Sequence, residues 1–433
     1  MHNATRSPGI AGAHQAPSPG SSRCSLPTPD QVRGRLSSPL GEVKGTCASR
    51  VPSLASGEGQ DRGEISATCF SHSPPCLPYV LSETRRRHHG RGTLSRIAAA
   101  LAGLLLAGLL AAPAAAQSPT LETVKKRGQV TCGVNTGLAG FSAPDDRGNW
   151  VGLDVDFCRA VAAAIFRDGR RVRFVPLNAK ERFTALQSGE VDILSRNTTW
   201  TMSRDTSLGL NFNGILYFDG QAFMVRRSLG LKAAGDLKGA SICVQSGTTN
   251  ELNIADFFTT HALRYRPVVY ERLDEVLGAY QNGRCDAFTA DSSQLIAERL
   301  RLPDPDAHEI LPDLISKEPL GPAVRQGDAG WANIVRWTLF AMINAEELGV
   351  TQKTVDADRE SSNPEIRRLL GIEGNYGQAL GLDADWVASI LKAVGNYGET
   401  FERNLGQGSP LKIARGRNAL WKDGGLLYAP PVR

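Results

Sequence analysis

The sequence predicts an α/β fold built from two similar lobes that are joined by two crossing segments. Short apolar runs alternate with amphipathic stretches in the body of the chain, which is typical of strands and helices packed in βαβ units. The same order of strand and helix restarts after Gly239. Two passes through one pattern within 433 residues indicate two lobes of similar architecture.

The first lobe is expected to begin with a strand at Val130–Val134. A helix follows at Asp154–Ile165, because Val155, Cys158, Ala162 and Ile165 recur at helical spacing. The next elements are predicted in the order strand, helix, strand at Val172–Val175, Glu181–Gln187 and Val191–Leu194. Lobe 1 is therefore assigned residues 117–224 and 320–348, the second part carrying a long helix at Trp331–Glu346.

The second lobe, residues 225–319, repeats this order. Its predicted elements alternate between strand and helix: Ser241–Val244, Thr249–Phe258, Pro267–Tyr270, Leu273–Gln281 and Ala287–Thr289. The chain is expected to cross between the lobes at Gln221–Val225 and to return near Glu318–Arg325. Residues 349–433, with a helix at Asp385–Val394, form a C-terminal extension that packs on lobe 1 or, alternatively, serves as a docking surface.

An export signal is predicted at residues 81–116. The apolar run Ile97–Ala116 follows five arginines and ends in three alanines, which is the pattern of a secretory signal peptide. Its apolar centre is short for a membrane span of about 20 residues, although an uncleaved anchor is the alternative. Gln117 stands where a lipid-anchored protein has cysteine, so a soluble protein of the periplasm is expected.

The charge composition of residues 1–116, which we call the leader, differs from that of the remaining residues, which we call the body. Residues 1–80 are rich in Ser, Pro, Gly and Arg, which predicts disorder, or a stretch that is not translated if the true start lies near Val80. Residues 1–116 hold 12 of the 49 basic and 6 of the 44 acidic residues, so 37 basic and 38 acidic residues remain. A body so close to neutral gives no reason to expect nucleic acid as a partner.

The cysteines and histidines of the body bear on disulfides and metals. Cys132, Cys158, Cys243 and Cys285 are an even set in an oxidising compartment. They form two disulfides within the lobes, Cys132 with Cys158 and Cys243 with Cys285, or remain small buried thiols. His261 and His308 are too few for a zinc cluster, so no metal is expected.

Several motifs in fixed order carry a resemblance to a known family. They are Gly-Leu-Asp-Val-Asp at 152–156, Ala-Leu-Gln-Ser-Gly-Glu-Val-Asp at 185–192, Thr199 with Arg204, Gly247-Thr248-Thr249, and Asp291. Residues 121–346 thereby resemble the periplasmic amino-acid-binding proteins of ABC importers, bacterial solute-binding protein family 3. Residues 195–201 and the tail 406–433 are similar to its general L-amino-acid-binding branch.

This resemblance implies the two-lobed type II fold of periplasmic binding proteins, with two hinge crossovers and a C-terminal extension. It implies a monomer without a cofactor that binds free L-amino acids over a broad range, glutamate, glutamine, aspartate and asparagine among them. The partner that the resemblance implies is an inner-membrane ABC permease. Where narrower relatives place aromatic rings against the ligand, this sequence has Leu138 and Ala179, which agrees with broad selectivity.

The candidate site residues also make physical sense by themselves. A free amino acid presents a carboxylate and an ammonium group on one carbon, so its receptor needs a cationic fork and an anion. Arg204 can pair with the carboxylate through two parallel hydrogen bonds, and Asp291 can meet the ammonium group. Thr199, just past a strand, can serve both groups. The plainer alternatives are a solvated surface arginine and a helix N-cap aspartate.

Further contacts are expected from both lobes. Thr248 and Thr249 open a helix whose free amides can hold a carboxylate oxygen, although Gly-Thr-Thr is also an ordinary turn. Asn197 belongs to the branch motif that precedes Thr199. The candidates for contact with the ligand side chain are Asn135, Leu138, Phe141, Gln245, Asn250 and Ala290.

The main rival is an enzyme on the same scaffold, similar to cyclohexadienyl dehydratase. Such an enzyme needs a positioned acid or base in its cleft. The adjacent acids Asp145 and Asp146 are more typical of a solvated turn, and Asp291 is explained without catalysis. The sequence therefore favours a carrier that is not an enzyme.

Overall fold

The computed structural model describes residues 118–433. The disordered or untranslated stretch expected at residues 1–80 and the signal peptide expected at residues 81–116 lie outside the described residues. Within residues 118–433, no helix combines the length and the apolar character that a membrane crossing requires.

Strands and helices alternate along the described chain, as the sequence predicts. The strands are β1 (Val130–Asn135), β2 (Ala143–Pro144), β3 (Trp150–Val151), β4 (Val172–Leu177), β5 (Ile193–Leu194), β6 (Leu210–Phe212), β7 (Tyr217–Asp219), β8 (Gln221–Arg226), β9 (Ser241–Gln245), β10 (Arg266–Tyr270), β11 (Ala287–Asp291), β12 (His308–Ile310), β13 (Glu318–Leu320) and β14 (Ala323–Arg325). The α-helices of the two lobes are α1 (Pro119–Arg127), α2 (Leu153–Phe166), α3 (Glu181–Ser188), α4 (Met202–Thr206), α5 (Thr249–Thr260), α6 (Leu273–Gln281), α7 (Ser292–Arg299) and α8 (Ala329–Glu347). Those of the extension are α9 (Val355–Asp358), α10 (Pro364–Leu369), α11 (Tyr376–Ala379), α12 (Trp386–Val394) and α13 (Tyr397–Asn404).

Each lobe contains one mixed sheet of five strands. The first sheet has the order β4-β1-β5-β14-β6, and β1 runs parallel to β4 and β5. The second has the order β10-β9-β11-β8-β12, with β9 parallel to β10 and β11. All residues of β1, β9 and β11 are buried, as expected for central strands that are covered on both faces. The two-lobed α/β fold predicted from the sequence is confirmed.

The crossing between the lobes lies earlier than predicted. Gln221–Val225 was expected to cross, but β8 pairs with β11 residue by residue, from Gln221 opposite Asp291 to Val225 opposite Ala287. An apolar run of this length is equally compatible with a connector and with a central strand. In the structure, the run Gln221–Val225 is a strand that is buried by its pairing with β11. The first crossing is instead β7, whereas the return crossing, β13, lies within the segment predicted near Glu318–Arg325. The two strands pair antiparallel as a two-stranded ribbon. After β13, the chain re-enters the first sheet as β14.

The C-terminal extension shares an apolar core with the first lobe. Residues of α12 and α13, such as Leu391 and Phe401, belong to the same buried cluster as Val161 of α2 and Leu339 of α8. A hydrogen bond also joins the extension to the first lobe: the Tyr397 hydroxyl donates to the carbonyl oxygen of Leu216 at 2.8 Å. The extension therefore continues the packing of the first lobe instead of standing apart from it.

Both disulfides expected within the lobes are formed. Cys132 of β1 is bonded to Cys158 of α2, and Cys243 of β9 is bonded to Cys285, which precedes β11. The alternative of buried free thiols is therefore wrong. The bonds close loops with sequence separations of 26 and 42 residues. A disulfide that closes a loop of such a length raises the free energy of unfolding by about 3 to 4 kcal/mol.

Candidate functional site

The predicted site residues gather where strands of both sheets end. Residues 195–201 follow β5, Gly247–Thr249 follow β9, and Asp291 is the last residue of β11. In α/β sheets, ligands bind outside the carboxyl ends of the strands. The ribbon β7–β13 runs beside these ends, since Thr199 forms an isolated bridge with Leu320 and Ser292 donates its amide to the carbonyl of Gly220.

Arg204 is buried, not a solvated surface arginine. Its residue is 7% exposed on the short helix α4, which begins after the cap Thr201. One guanidinium nitrogen, Nη1, donates to the carbonyl oxygen of Thr199 at 2.8 Å, and the guanidinium lies 5.1 Å from the ring centre of Phe183. Burial lowers the pKa of Arg204, while the carboxylates of Glu318 and Asp291 oppose that shift.

Asp291 belongs to a buried group of carboxylates. It is 4% exposed and its Oδ1 accepts a hydrogen bond from the amide of Asn250 at 2.9 Å, while its side chain makes no hydrogen bond that caps α7. Burial, followed by the charges of Glu318 and Asp219, raises the pKa of Asp291 well above its ordinary value. Burial also raises the pKa of Asp219, at the end of β7, to about 6. A positive group placed among these carboxylates would be strongly favoured.

Glu318 is a central residue that the sequence analysis missed. Its carboxylate is 1% exposed and accepts hydrogen bonds from Thr199 Oγ1 of the first lobe at 2.5 Å and Thr249 Oγ1 of the second at 2.8 Å. Asn253 and Ser316 each donate to its Oε1 at 2.7 Å. Its position within a predicted crossing was the available signal, because crossings border the cleft between lobes.

Two further arginines were also missed. Arg182 of α3 is 3% exposed, and its two Nη atoms make only long contacts of 3.4 Å, to Thr198 Oγ1 and to the carbonyl oxygen of Gly247 in the other lobe. Its Nε has no hydrogen-bond partner within residues 118–433. Burial lowers the pKa of Arg182 well below its ordinary value, and the charges of Arg196 and Arg204 add to that effect. Burial lowers the pKa of Arg196 to about 10.

Asn197 and Asn135 meet on the first-lobe side. The Asn135 amide donates to Asn197 Oδ1 at 2.9 Å. Asn197 itself has a left-handed φ of 36° and donates its backbone amide to Asp154 Oδ2 at 2.8 Å. Burial raises the pKa of Asp154 to about 6, and hydrogen bonds from Ser195 and Asn197 counter the shift. The motif at 152–156 therefore shapes the loop that carries Asn197 and Thr199.

The remaining candidates divide into polar and packing positions. Thr249 contacts the site directly, with its hydroxyl 3.4 Å from that of Thr199, whereas the Thr248 hydroxyl donates to the carbonyl of Gln245 at 2.7 Å. Gln245 uses its Nε2 on the carbonyl of Glu271 at 3.0 Å. Leu138 and Phe141 lie in the first-lobe core, and Ala290 lies in the core of the second lobe. Asn250 contacts the site through Asp291.

Asp145 behaves as the acid of a solvated turn. Its Oδ1 accepts backbone hydrogen bonds from Arg147 at 2.9 Å and from Asn149 at 2.8 Å. These contacts, with that of Asn149 the larger, lower the pKa of Asp145, and the group is exposed. A low pKa on an exposed turn carboxylate is unsuited to general acid catalysis.

The lobes are in contact across the site. Besides the contacts of Arg182, Thr199 and Glu318, Lys180 Nζ of the first lobe lies 3.1 Å from Glu271 Oε2 of the second. Gly247 adopts a left-handed φ of 74°, and a Cβ there would lie 3.0 Å from Lys180 Cγ. A residue with a Cβ at this turn would be strained by its φ and would require the Lys180 side chain to shift. The arrangement is that of a shut cleft.

Sequence comparison places this architecture among known proteins. The profile of the bacterial extracellular solute-binding proteins, family 3, matches residues 130–354. The general L-amino acid-binding periplasmic protein AapJ of Rhizobium johnstonii is 63% identical over 321 residues, covering 74% of this chain and 94% of that protein. The glutamate/glutamine/aspartate/asparagine-binding protein BztA of Rhodobacter capsulatus is 51% identical over 329 residues, covering 76% of this chain and 97% of that protein.

A solved structure agrees with the sequence comparison. An ABC transporter periplasmic binding protein from Brucella ovis with glutathione bound is 61% identical and superposes with a TM-score of 0.72. The match covers 73% of this chain and 100% of the Brucella protein. The similarity therefore extends over both lobes and the C-terminal extension, not over one motif.

Proposed function

Because this chain belongs to the bacterial extracellular solute-binding proteins, family 3, we propose that it binds L-amino acids in the periplasm for an ABC transporter. Its range includes glutamate, glutamine, aspartate and asparagine, in keeping with the names of its relatives AapJ and BztA. It delivers them to the inner-membrane permease as a monomer, without a cofactor. The signal peptide at residues 81–116 directs its export and leaves no lipid anchor.

One observation carries the proposal: buried charges of opposite sign face each other from opposite sides of the cleft. The guanidinium of Arg204 donates to the carbonyl oxygen of Thr199, whose hydroxyl donates to the carboxylate of Glu318. The charges of Glu318 and Asp291 oppose the lowering of the Arg204 pKa by burial. A zwitterionic amino acid placed between these opposite charges puts its α-carboxylate on the guanidinium of Arg204 and its α-ammonium group on Asp291. Thr199 and Thr249 add hydroxyl groups from the two lobes, and Asn197 holds the loop that carries Thr199.

Transport requires that binding changes the shape of the protein. The ligand contacts both lobes only when the cleft is shut, so binding shifts the population towards the closed form. The ribbon β7–β13 is the hinge of this motion, because the crossings lie within it. Lobe 1 comprises residues before this ribbon and after it up to residue 348, and the extension 349–433 stiffens that lobe. The permease then recognises the closed form.

The bound glutathione of the Brucella relative agrees with recognition of the amino-acid headgroup. In glutathione, the γ-glutamyl residue keeps a free α-carboxylate and a free α-ammonium group on one carbon. A clamp built from a guanidinium and an aspartate treats this headgroup as it treats free glutamate. The feature that both ligands share is the feature that the cleft charges complement.

The enzyme alternative is less well supported. The relatives with more than half of their residues identical are named as amino-acid-binding proteins or as an amino-acid ABC transporter-binding protein. In the cleft, Asp291 accepts a hydrogen bond from Asn250 and Glu318 accepts from four side chains, which agrees with carboxylates that are held in place to bind a ligand. We therefore propose that the ligand leaves the protein chemically unchanged.

A competition experiment tests the proposal. The purified protein is loaded with labelled glutamate, each of the twenty amino acids is added as a competitor, and the released label is analysed by mass spectrometry. We expect displacement by several amino acids, the acidic ones and their amides most strongly, and recovery of intact glutamate. Displacement by a single amino acid would contradict the broad range, and a converted product would favour the enzyme.

A further inference from the structure

A cavity opens between the lobes near the residues of the candidate amino-acid site. It has a volume of about 530 Å³, which lies within the range of about 300 to 1,000 Å³ of ligand pockets. We call it the vestibule. Its walls come from both lobes: Thr136, Gly137, Ala139, Ala143, Pro144, Asn178 and Glu181 from the first, and Gln245, Arg272, Leu273, Asp274 and Arg301 from the second.

The vestibule adjoins two candidates for contact with the ligand side chain, Asn135 and Gln245. Thr136 and Gly137 directly follow Asn135, and both donate to its Oδ1, at 3.4 Å and 3.3 Å. Gln245 belongs to the vestibule and also precedes the turn at Gly247–Thr249 that enters the site. With the headgroup on Arg204 and Asp291, a side chain that points towards Asn135 and Gln245 leads outward into this cavity.

The vestibule contains a guanidinium group with no ion pair. Arg301 is neutralised, since its Nη2 lies 2.8 Å from Asp274 and its Nη1 lies 2.7 Å from Glu298. Arg272 is exposed, lines the cavity and makes no side-chain ion pair within residues 118–433. It is the N-cap residue of α6, whose first turn already carries the carboxylates of Asp274 and Glu275, so the guanidinium of Arg272 itself is the group open to an anion. The part of the vestibule that Arg272 lines therefore suits a carboxylate.

We propose that the vestibule holds the extension of an amino acid that is elongated through its side chain, as in a γ-glutamyl peptide, and that Arg272 receives the distal carboxylate. This inference rests on the proposed function, because the γ-glutamyl headgroup occupies the amino-acid site. An α-linked peptide is excluded for a chemical reason. Its first peptide bond uses the α-carboxylate that Arg204 requires, so no residue of that peptide carries both headgroup charges on one carbon.

Calorimetry with matched peptides tests this inference. The ligands are glutamate, γ-glutamylcysteinylglycine and its α-linked isomer, with both thiols methylated so that they cannot exchange with the disulfides. We expect the γ-linked peptide to bind and to compete with glutamate, and the α-linked isomer not to bind. Arg272→Gln should weaken the γ-linked peptide about fivefold, as for a partly exposed ion pair, and leave glutamate within about twofold.

The control is Arg264→Gln, which removes an exposed arginine of the second lobe that does not line the vestibule. It should change neither ligand. If glutamate binds but the γ-linked peptide does not, or if Arg272→Gln leaves both affinities unchanged, the vestibule assignment is wrong while the proposed function stands. If glutamate itself does not bind to the folded protein, the proposed function fails first.

Discussion

The two sides of the cleft carry opposite charges. The first lobe contributes the buried guanidinium groups of Arg182, Arg196 and Arg204, whereas the second lobe contributes the carboxylate of Asp291 and the hinge those of Asp219 and Glu318. Removing such groups from water costs several kcal/mol per ion unless they are paired. Each side alone is therefore costly to bury, and a zwitterion that touches both sides offsets that cost.

The two sides also differ in how fully their hydrogen-bonding capacity is used. Glu318 accepts from four side chains, and Asp291 is held by Asn250. On the cationic side, Arg182 makes only long contacts and Arg204 uses one nitrogen on Thr199. A guanidinium has five N–H donors, so donors remain on the first lobe. The anionic side is thus fixed in place, and the cationic side has donors left for a ligand carboxylate.

The largest effect is expected from removing one charge of the clamp. Arg204→Ala or Asp291→Ala should weaken glutamine binding at least about thirtyfold, because each leaves a buried ligand charge without its partner. Calorimetry measures the loss, and thermal melting checks that the variants fold. Arg170→Ala is the matched control, since that side chain is 91% exposed, and it should bind as the unaltered protein does. Near-normal affinity in either clamp variant would remove that residue from the site.

The next effect concerns pH and tests the anionic side. Because the pKa of Asp219 is raised to about 6 and that of Asp291 is also raised, protons occupy these carboxylates as the pH falls. An ammonium ligand requires the ionised form, so glutamine binding should strengthen up to about tenfold between pH 5 and pH 7, with release of a proton.

The raised pKa of Asp219 also determines how the stability of the ligand-free protein changes with pH. A carboxyl group with a raised pKa stabilises the ligand-free fold at low pH, and this contribution is lost as the pH rises through about 6. Because glutamine binds more tightly when these carboxylates are ionised, the rise in melting temperature that it causes should be larger at pH 7 than at pH 5. Asp219→Asn should reduce this pH dependence. A larger ligand effect at pH 5 would contradict the assignment of the anionic side.

A smaller effect on affinity is expected from Arg182, and it should distinguish the role of this arginine from that of Arg204. Arg182→Gln removes one buried positive charge from the cationic side without touching Arg204. Glutamate and aspartate, which carry an additional negative charge, should lose about fivefold more affinity than glutamine and asparagine. Competition binding measures the ratio, with Arg173→Gln as a control on an exposed arginine of β4. Equal losses for all four ligands would show that Arg182 does not distinguish charge.

The smallest effect is expected at the rim of the cleft. Lys180 and Glu271 join the lobes at 3.1 Å, but both side chains are about half exposed. Exposed ion pairs contribute about 0.2 to 1 kcal/mol, so Lys180→Gln should weaken glutamine less than about fivefold. A loss as large as that of Arg204→Ala would mean that the rim, not the buried charges, holds the lobes together.

Much of the fold follows from local sequence patterns. The helix predicted at Leu273–Gln281 has those bounds in the structure, and β1, β4, β9 and β10 lie within a residue or two of their predictions. The strand predicted at Val191–Leu194 is shorter, because Asp192 turns its carboxylate to the backbone amide of Thr131 at 2.7 Å. The hairpin β2–β3 has two residues per strand, too few for any periodic signal.

The site could be predicted only where a motif marked it. Arg204 and Asp291 were identified from their motif positions, and the structure buries both. Arg182 lies in a predicted helix between Glu181 and Phe183, where nothing local tells a solvated arginine from a buried one. Its burial depends on the approach of Gly247 from the other lobe, a contact between residues far apart in sequence. Glu318 lies in a predicted crossing, but its hydrogen-bond donors come from distant parts of the chain, so its role does not follow from local sequence.

The most direct test of the clamp is a crystal structure of the protein with glutamine bound. We expect the α-carboxylate to lie about 3 Å from the guanidinium nitrogens of Arg204 and the α-ammonium nitrogen about 3 Å from the carboxylate of Asp291, between closed lobes. A ligand bound in another cavity, or one whose ammonium group faces the arginines while its carboxylate faces Asp291, would contradict this expectation.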